Sequence, residues 1–280
     1  MTQTRKIRSI VKSISIMDGA GVSLNRAFAK SDPSLDPFLL LDDFHSNDPD
    51  SYAAGFPMHP HRGIETVTYM LRGEMEHGDS LGNKGIIGPG DVQWMTAGKG
   101  IIHEEMPHQT RGELWGLQLW INLPASKKMI SPRYQEIVAK QIPVVKPNAQ
   151  TIIKVICGNY AEISGPIKGL ATEPIYLDIS LAEATRFSIP IPEYLNAFVY
   201  VLEGNGYFDD NKATLINEKH MAIYGHGDSI EITSNKLTRF LLIAGKPIRE
   251  NVAWRGPIVM NTEDELQKAF AAYEKGTFTD

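Results

Sequence analysis

Cysteine is almost absent from the sequence. Cys157 is the single cysteine among 280 residues, which excludes an internal disulfide framework and a cysteine-rich zinc site. This usage is typical of a reducing compartment, so we expect a cytoplasmic protein. The segment around it, IIKVICGNY, is predicted to be an apolar strand in which the thiol packs rather than reacts.

The sequence also lacks a concentration of charge of one sign and any long apolar run. Its 28 basic and 33 acidic residues give a formal net charge of −5, and no basic cluster of the kind that binds nucleic acid occurs. No stretch approaches the roughly 20 apolar residues that span a bilayer. The first residues lack the apolar core and cleavage site of a secretory signal. We therefore expect a soluble protein that binds neither nucleic acid nor a membrane directly.

Glycine and proline, by contrast, are frequent. The 24 glycines and 17 prolines divide the chain into short segments, most of which alternate or are rich in β-branched residues, such as VTYML, VQWMT, IYLDISL and AFVYVLEG. Turn signals separate them, among them GPGD at 88–91 and EGNG at 203–206. This pattern predicts an all-β protein built as a sandwich or barrel.

One helix is predicted near the C-terminus. Thr262 and Glu265 form a capping box at its start, and Gly276 can end it. The residues predicted to form its buried stripe are Leu266, Phe270 and Tyr273.

The two halves of the chain contain a weak internal repeat. The segment VTYMLRGEMEH (67–77) aligns with FVYVLEGNGYF (198–208), with Gly73 on Gly204. Two copies of one β fold account for the length. We predict two domains, 1–139 and 140–280, joined through the proline-containing segment QIPVVKPNAQ.

Two short clusters carry the candidate chemistry. His59 and His61 lie in HPHRGIE, and His103 and Glu105 lie in IIHEEMP. In a strand, residues i and i+2 point to the same face, so each pair presents two ligands together. If the strands are neighbours, three imidazoles and a carboxylate converge. That set suits one divalent ion of Fe, Mn, Co, Ni, Cu or Zn, and it leaves two adjacent positions open on a six-coordinate ion.

Glu65 is a further candidate, because it lies four residues beyond His61 and its parity also allows it onto the ligand face. Its alternative role is that of a buried carboxylate that orients a ligating histidine. The sequence leaves open whether Glu65 or Glu105 is the ligand.

At these residues the sequence resembles the pirin family of the cupin superfamily. The resemblance is carried by residues 55–107, by DPFLLLDDF before them and by WRGPIVMNT near the C-terminus. It implies two tandem cupin β-barrel domains of the jelly-roll type with a short C-terminal helix. It also implies that a single metal, typically Fe(II), is held in the N-terminal domain by His59, His61, His103 and Glu105. Most cupins instead take their carboxylate from the position of Glu65.

The resemblance further implies quercetin 2,3-dioxygenase activity, which opens the heterocycle of a flavonol with O₂ and releases carbon monoxide. Glu105 is the candidate general base for the flavonol hydroxyl. The alternative is an iron-containing, redox-responsive regulatory protein that binds a protein partner, either as a transcriptional co-regulator or as a modulator of a metabolic enzyme. The residues predicted to line the substrate cavity are Phe56, Trp94, Met95 and Met106.

The repeat alignment predicts a metal-free C-terminal domain. With Gly73 on Gly204, His59 and His61 fall on Pro190 and Pro192, and no ligand remains at those positions.

Overall fold

The computed structural model describes residues 3–108 and 112–280, and strands dominate them. The first twelve strands, in chain order, are β1 (Ile7–Lys12), β2 (Ile14–Asp18), β3 (Val22–Ala29), β4 (Phe38–Ser46), β5 (Phe56–His61), β6 (Ile64–Arg72), β7 (Met75–Asp79), β8 (Lys84–Ile87), β9 (Val92–Thr96), β10 (Ile101–Pro107), β11 (Leu114–Asn122) and β12 (Arg133–Ile137). The remaining strands are β13 (Val144–Asn148), β14 (Thr151–Cys157), β15 (Asn159–Tyr160), β16 (Ile163–Ser164), β17 (Ile175–Leu181), β18 (Arg186–Pro190), β19 (Asn196–Glu203), β20 (Asn205–Tyr207), β21 (Leu215–Asn217), β22 (His220–Tyr224), β23 (Ser229–Ser234), β24 (Thr238–Gly245), β25 (Ala253–Arg255) and β26 (Ile258–Met260).

The helical content of the described residues is small. It comprises the α-helix α1 (Glu263–Glu274) and short 3-10 segments at Pro49–Ser51, Ala125–Lys127 and Ala139–Gln141. None of these helices is long and apolar enough to cross a membrane. The predicted all-β class with a short C-terminal helix is therefore confirmed.

The chain forms two compact units. The first, here called the N-unit, comprises Ile14–Ser31, Phe38–Ala139 and Ile248–Asp280. The second, here called the C-unit, comprises the N-terminal segment up to Ser13 together with Asp32–Pro37 and Lys140–Pro247. The longest segment of the N-unit ends at Ala139, and the longest segment of the C-unit begins at Lys140. That 1–139 and 140–280 act as separate domains stays a prediction.

The N-unit contains two antiparallel sheets that position the candidate site. The larger has seven strands in the order β12-β9-β6-β11-β4-β3-β2, and the smaller has four in the order β5-β10-β7-β8. The central strand β6 is buried from Ile64 to Leu71. The buried part of this strand includes the polar residues Glu65, Thr66 and Thr68, and buried polar groups require hydrogen-bond partners. A separate pair, β25 and β26, also belongs to this unit.

The C-unit repeats this arrangement. Its seven-stranded sheet has the order β1-β22-β19-β24-β17-β14-β13, and its four-stranded sheet has the order β18-β23-β20-β21. Gly73 and Gly204, which the repeat alignment superposes, both end a strand with a left-handed φ, at 72° and 75°. Glycine adopts this conformation without a Cβ penalty. Cys157 is buried at the end of β14, as the sequence predicts.

The C-terminal helix begins with the predicted capping box, in which Thr262 accepts from the backbone N–H of Glu265 and Glu265 binds back to Thr262. Its buried stripe differs from the prediction. Leu266 and Ala269 are buried, whereas Tyr273 is exposed by 40%. Phe270 is partly buried against the cluster that contains Leu266 and Ala269, and the Tyr273 ring packs edge-on to Phe278 at a centroid distance of 5.5 Å.

Candidate metal centre

Three histidines converge in the N-unit from two paired strands. His59 and His61 lie on β5, His103 lies on β10, and the two strands are antiparallel neighbours. His59 and His103 are direct partners in this register. The adjacency that the sequence analysis required is therefore present.

The ligand atoms of these side chains are close. One nitrogen from each of His59, His61 and His103 lies within 4.8 Å of the other two. The Nε2 atoms of His59 and His61 are 3.0 Å apart, and the three ring centroids are separated by 4.5 to 5.0 Å. Three nitrogens at such separations are suited to a single ion, since Zn–N and similar bonds are about 2 Å long.

Backbone carbonyls fix the orientation of two of the rings. Nδ1 of His59 lies 2.9 Å from the carbonyl oxygen of Pro57, and Nδ1 of His61 lies 3.3 Å from that of Pro257. A carbonyl can only accept, so each Nδ1 carries the proton and each Nε2 is left as a lone-pair donor. Outer partners of this kind hold ligating histidines in the tautomer that a metal requires.

Burial keeps the inner histidines neutral. His61 and His103 are almost fully buried, and burial, followed by the neighbouring histidines, holds the pKa of each well below its usual value. Among the residues that the structure describes, neither ring nitrogen of His103 has a hydrogen-bond partner. A buried polar atom without a partner is costly, and a metal ion would satisfy one such nitrogen. The donor set therefore fits a divalent transition metal.

Glu105 lies near this cluster but is held by other residues. A bulge in the β5–β10 pairing separates His103 from Glu105, which pairs with Phe56. Its buried carboxylate accepts a hydrogen bond of 2.6 Å from Thr68 Oγ1 and another of 2.6 Å from Gln118 Nε2. The three-histidine group does not include it. Its role as fourth ligand stays a prediction.

Glu65 has different partners. Its carboxylate accepts hydrogen bonds from Thr96 Oγ1 at 2.8 Å and from Trp94 Nε1 at 3.2 Å. Burial raises the pKa of Glu65, while these two donors oppose that rise. The contacts link β6 to β9 rather than to a histidine, and the proposed orienting role of Glu65 stays a prediction.

A cavity of about 650 Å³ opens beside the histidines, and its lining includes His59 and His61. Aromatic side chains form much of the remaining wall, among them Phe44, Phe56, Trp120 and Trp254. The volume is within the range of small-molecule sites, and the mixture of apolar walls with a few polar groups is typical of them.

Of the four residues predicted to contact substrate, Phe56 lies in the wall of this cavity, and Trp94, Met95 and Met106 lie outside it. That these residues bind a substrate stays a prediction. Trp94 and Met95 are fully buried in the N-unit, where the Trp94 indole turns to Glu65 and Met95 packs in the cluster of Leu39, Ile64 and Ala97. Met106 lies against Gly55 and is outside the cavity lining. The strand positions of Trp94 and Met95 direct their side chains into the core, whereas Met106 is half-buried on β10. The apolar pattern of the sequence alone does not distinguish these locations.

Sequence reasoning missed Gln118 and Trp120, which lie on β11 and line the cavity. Trp120 Nε1 donates to Oε1 of Gln118 at 2.9 Å, and the Trp120 ring meets the ring of His61 edge-on at 5.0 Å. A signal was available, because Gln118 is a single polar residue in the middle of the apolar segment LWGLQLWI. The carbonyl of Pro257 has no such sequence signal.

Comparisons with known proteins agree with this architecture. Residues 21–121 match the model of the pirin family, and residues 176–279 match that of the pirin C-terminal cupin domain. A pirin-like protein of Caulobacter vibrioides is 43% identical over 98% of this chain and 99% of its own length, and human pirin is 40% identical over 96% and 92%. A crystal structure of a quercetin 2,3-dioxygenase from Acinetobacter baumannii superposes with a TM-score of 0.92, is 33% identical and is covered over 99% of both chains.

Proposed function

The chain belongs to the pirin family, and from this premise we propose that its N-unit is a metal-dependent dioxygenase that opens the heterocycle of a flavonol with O₂ and releases carbon monoxide. The likeness to a quercetin 2,3-dioxygenase over the whole chain supports the reaction class. We propose Fe(II) as the metal, with His59, His61, His103 and Glu105 as its ligands.

One observation carries the proposal: three histidine nitrogens lie within 4.8 Å of one another, and two of these histidines, His59 and His61, line a cavity of about 650 Å³ with several aromatic side chains. A group of histidines that served only to stabilise the fold would need no cavity beside it. A planar aromatic substrate would be held there mainly by contact area, with Phe44, Phe56 and Trp120 as its apolar surroundings.

A bound divalent metal would supply Lewis-acid and redox chemistry, which includes lowering the pKa of the substrate hydroxyl. In this proposal Glu105 accepts the proton of that hydroxyl at a carboxylate oxygen. Thr68 and Gln118 orient this carboxylate, because each donates a short hydrogen bond to it. Trp120 in turn holds the Gln118 carbonyl, so that the amide NH₂ group faces Glu105.

The test is reconstitution of the protein with Fe(II) without oxygen, followed by addition of a flavonol and O₂. We expect loss of the flavonol absorption band with release of one CO per flavonol. His61→Ala removes one of the three candidate ligand nitrogens and should abolish both metal binding and turnover. His220→Ala is the matched control, since His220 lies in the C-unit and its ring hydrogen-bonds to the carbonyl of the nearby Glu218.

The results of this experiment distinguish a dioxygenase from a redox-responsive regulatory protein. Turnover that depends on His61 supports the dioxygenase. Stoichiometric metal binding without turnover by any divalent ion would reject the enzyme and favour the redox-responsive partner-binding protein. Absence of metal binding by the wild type at pH 7.5 would reject both.

A further inference from the structure

A polar row crosses the cavity wall between two apolar rows. On β4, Leu40, Asp42 and Phe44 alternate onto the face that lines the cavity. The Cα partner of Leu40 on β11 is Trp120, whereas the partner of Asp42 is Gln118. On the other side, Asp42 pairs with Arg26 of β3. The middle row therefore consists of Gln118 on β11, Asp42 on β4 and Arg26 on β3.

Arg26 is the centre of an ion triad at the far end of this row. Its Nε and Nη2 atoms donate to the two oxygens of Asp42 at 2.8 and 2.7 Å, and Nη2 also binds Oδ2 of Asp18. All three residues line the cavity. Asp42 is nearly buried, Arg26 is exposed by 21% and Asp18 by 48%. The triad therefore lines the cavity and is partly accessible to solvent.

The triad still has hydrogen-bonding capacity. Each oxygen of Asp42 accepts one bond from Arg26 and has a second lone pair. Burial raises the pKa of Asp42 to about 6, although Arg26 opposes the rise, so this carboxylate is ionised at pH 7.5. Two carboxylates and one guanidinium carry a net charge of −1. Such a site accepts hydrogen bonds from neutral O–H groups and repels a carboxylate, sulfate or phosphate.

We propose that the triad of Asp18, Arg26 and Asp42 binds a neutral phenolic hydroxyl at the end of the substrate remote from its metal-binding oxygens. The inference rests on the proposed function. It specifies the substrates of the site as aromatic compounds whose pendant ring carries a hydroxyl group and no anionic substituent. The row leads directly to the metal site, because Gln118 donates to Glu105.

The length of the row agrees with such a substrate. Arg26 and Gln118 are separated by two strand spacings, which is about 10 Å. A ligand with its chelating oxygens near Glu105 would therefore extend its pendant ring along the row to Asp42. The apolar rows on either side would contact its two edges or faces.

A purely structural ion pair is the competing explanation, and the chain contains one for comparison. In the C-unit, Arg239 donates from Nε and Nη2 to the two oxygens of Asp178 at 2.9 and 2.7 Å. This pair has the same bidentate geometry and similar burial. It belongs to the C-unit, so Asp178→Asn breaks an equivalent pair without touching the cavity.

The experiment measures binding without oxygen at pH 7.5, by calorimetry and by the shift of the flavonol band, on Fe(II)-loaded and metal-free protein. The probes are flavonols that share the 3-hydroxy-4-keto group and carry zero hydroxyls, one hydroxyl, two hydroxyls or one carboxylate on the pendant ring. For the wild type we expect about a 10-fold gain in affinity from the first hydroxyl, as for a hydrogen bond to a charged group. We expect the carboxylate to bind more weakly than the unsubstituted ring.

The variants assign this preference to the triad. In Asp18→Asn/Asp42→Asn the hydroxyl gain should fall to less than about 3-fold, because a charge-assisted bond is lost, and the carboxylate probe should now bind better than the unsubstituted one. Asp18→Asn alone, at a half-exposed position, provides a variant that keeps the Arg26–Asp42 pair and should fold normally. Asp178→Asn should keep the wild-type preferences.

Equal wild-type affinity for the three uncharged probes would overturn the inference, as would retention of the hydroxyl gain in the double variant. Turnover of the unsubstituted flavonol by the wild type tests the proposed function separately. A protein that cleaves this probe and ignores the pendant hydroxyl keeps the function and loses the inference. A protein that prefers the hydroxylated probes but cleaves none of them supports the binding role of the triad and rejects the dioxygenase function.

Discussion

The Nδ1 atom of His61 hydrogen-bonds to the carbonyl oxygen of Pro257, across 196 positions of the sequence. The segment that follows Pro257 continues this attachment, because the backbone N–H of Val259 donates to the carbonyl of Arg62. Arg62 also donates from Nη2 to the carbonyl of Phe278 at 2.6 Å. The C-terminal part of the N-unit therefore supports the strand that carries His59 and His61.

We expect Gly63→Ala to disrupt this support. Gly63 follows the histidine strand with a φ of 78°, and a Cβ there would lie 1.9 Å from the carbonyl oxygen of Val259. Strain and displacement should cost at least about 2 kcal/mol of unfolding free energy and weaken metal binding. Gly82→Ala is the control, since Gly82 has a similar φ and open space around its Cβ position. Urea denaturation and metal titration measure both effects, and equal costs for the two variants would contradict the prediction.

Lys128→Met should destabilise the N-unit by about 2–4 kcal/mol, because it leaves three buried acceptors without their donor. The ammonium group donates to the carbonyls of Gly63 and Val259 and to Oδ1 of Asn122 at 2.6 to 3.0 Å. Burial lowers the pKa of Lys128 to about 7, so the charge itself adds little to stability. Lys127→Met, at the exposed neighbouring position, should change stability by less than about 0.5 kcal/mol. Similar denaturation midpoints for the two variants would refute this role.

The metal-free protein should lose stability as the pH falls below about 6.5. Unfolded histidine binds a proton near that pH, whereas burial holds the folded-state pKa of His61 and His103 well below it. The unfolded state then binds more protons than the folded state, so unfolding becomes easier on acidification. Each such histidine contributes a slope of up to about 1.4 kcal/mol per pH unit. Urea denaturation at several pH values between 7.5 and 5.5 gives the unfolding free energy as a function of pH. This free energy should fall less steeply on acidification for His61→Gln than for the wild type, and equal pH dependence of the two proteins would exclude the effect.

A pair of threonine variants should identify which carboxylate serves the metal. Thr68→Val removes a donor from Glu105, and Thr96→Val removes one from Glu65. If Glu105 is the ligand or base, Thr68→Val should change metal affinity or the turnover rate by about 10-fold, as for loss of a hydrogen bond to a charged group. Thr96→Val should affect stability alone. The reverse result would assign the site to Glu65.

The two candidate ligand clusters could be recognised in the sequence because strand alternation is a local property, and that all four side chains bind one metal stays a prediction. His59 with His61, and His103 with Glu105, share a face whenever the backbone is extended. The β class followed in the same way from turn residues and β-branched segments, and the helix start followed from the capping box at Thr262.

The partners of Glu105 could not be predicted, because they depend on strand order. Thr68 and Gln118 are direct partners on β6 and β11, and both donate to Glu105 from the facing sheet. Hydrophobic pattern likewise does not distinguish a cavity wall from a core, which is why Phe56 lines the cavity while Met95 is buried in the core.

By itself, the sequence determined the β fold of both units and the residue types of the candidate metal site, since backbone alternation and turn chemistry act over a few residues. Only the tertiary structure decided which donors orient Glu105, that the carbonyl of Pro257 orients His61, and that Arg26 and Asp42 share one wall with the histidines. These are contacts between segments far apart in the chain, and they form only when pairing and packing bring those segments together.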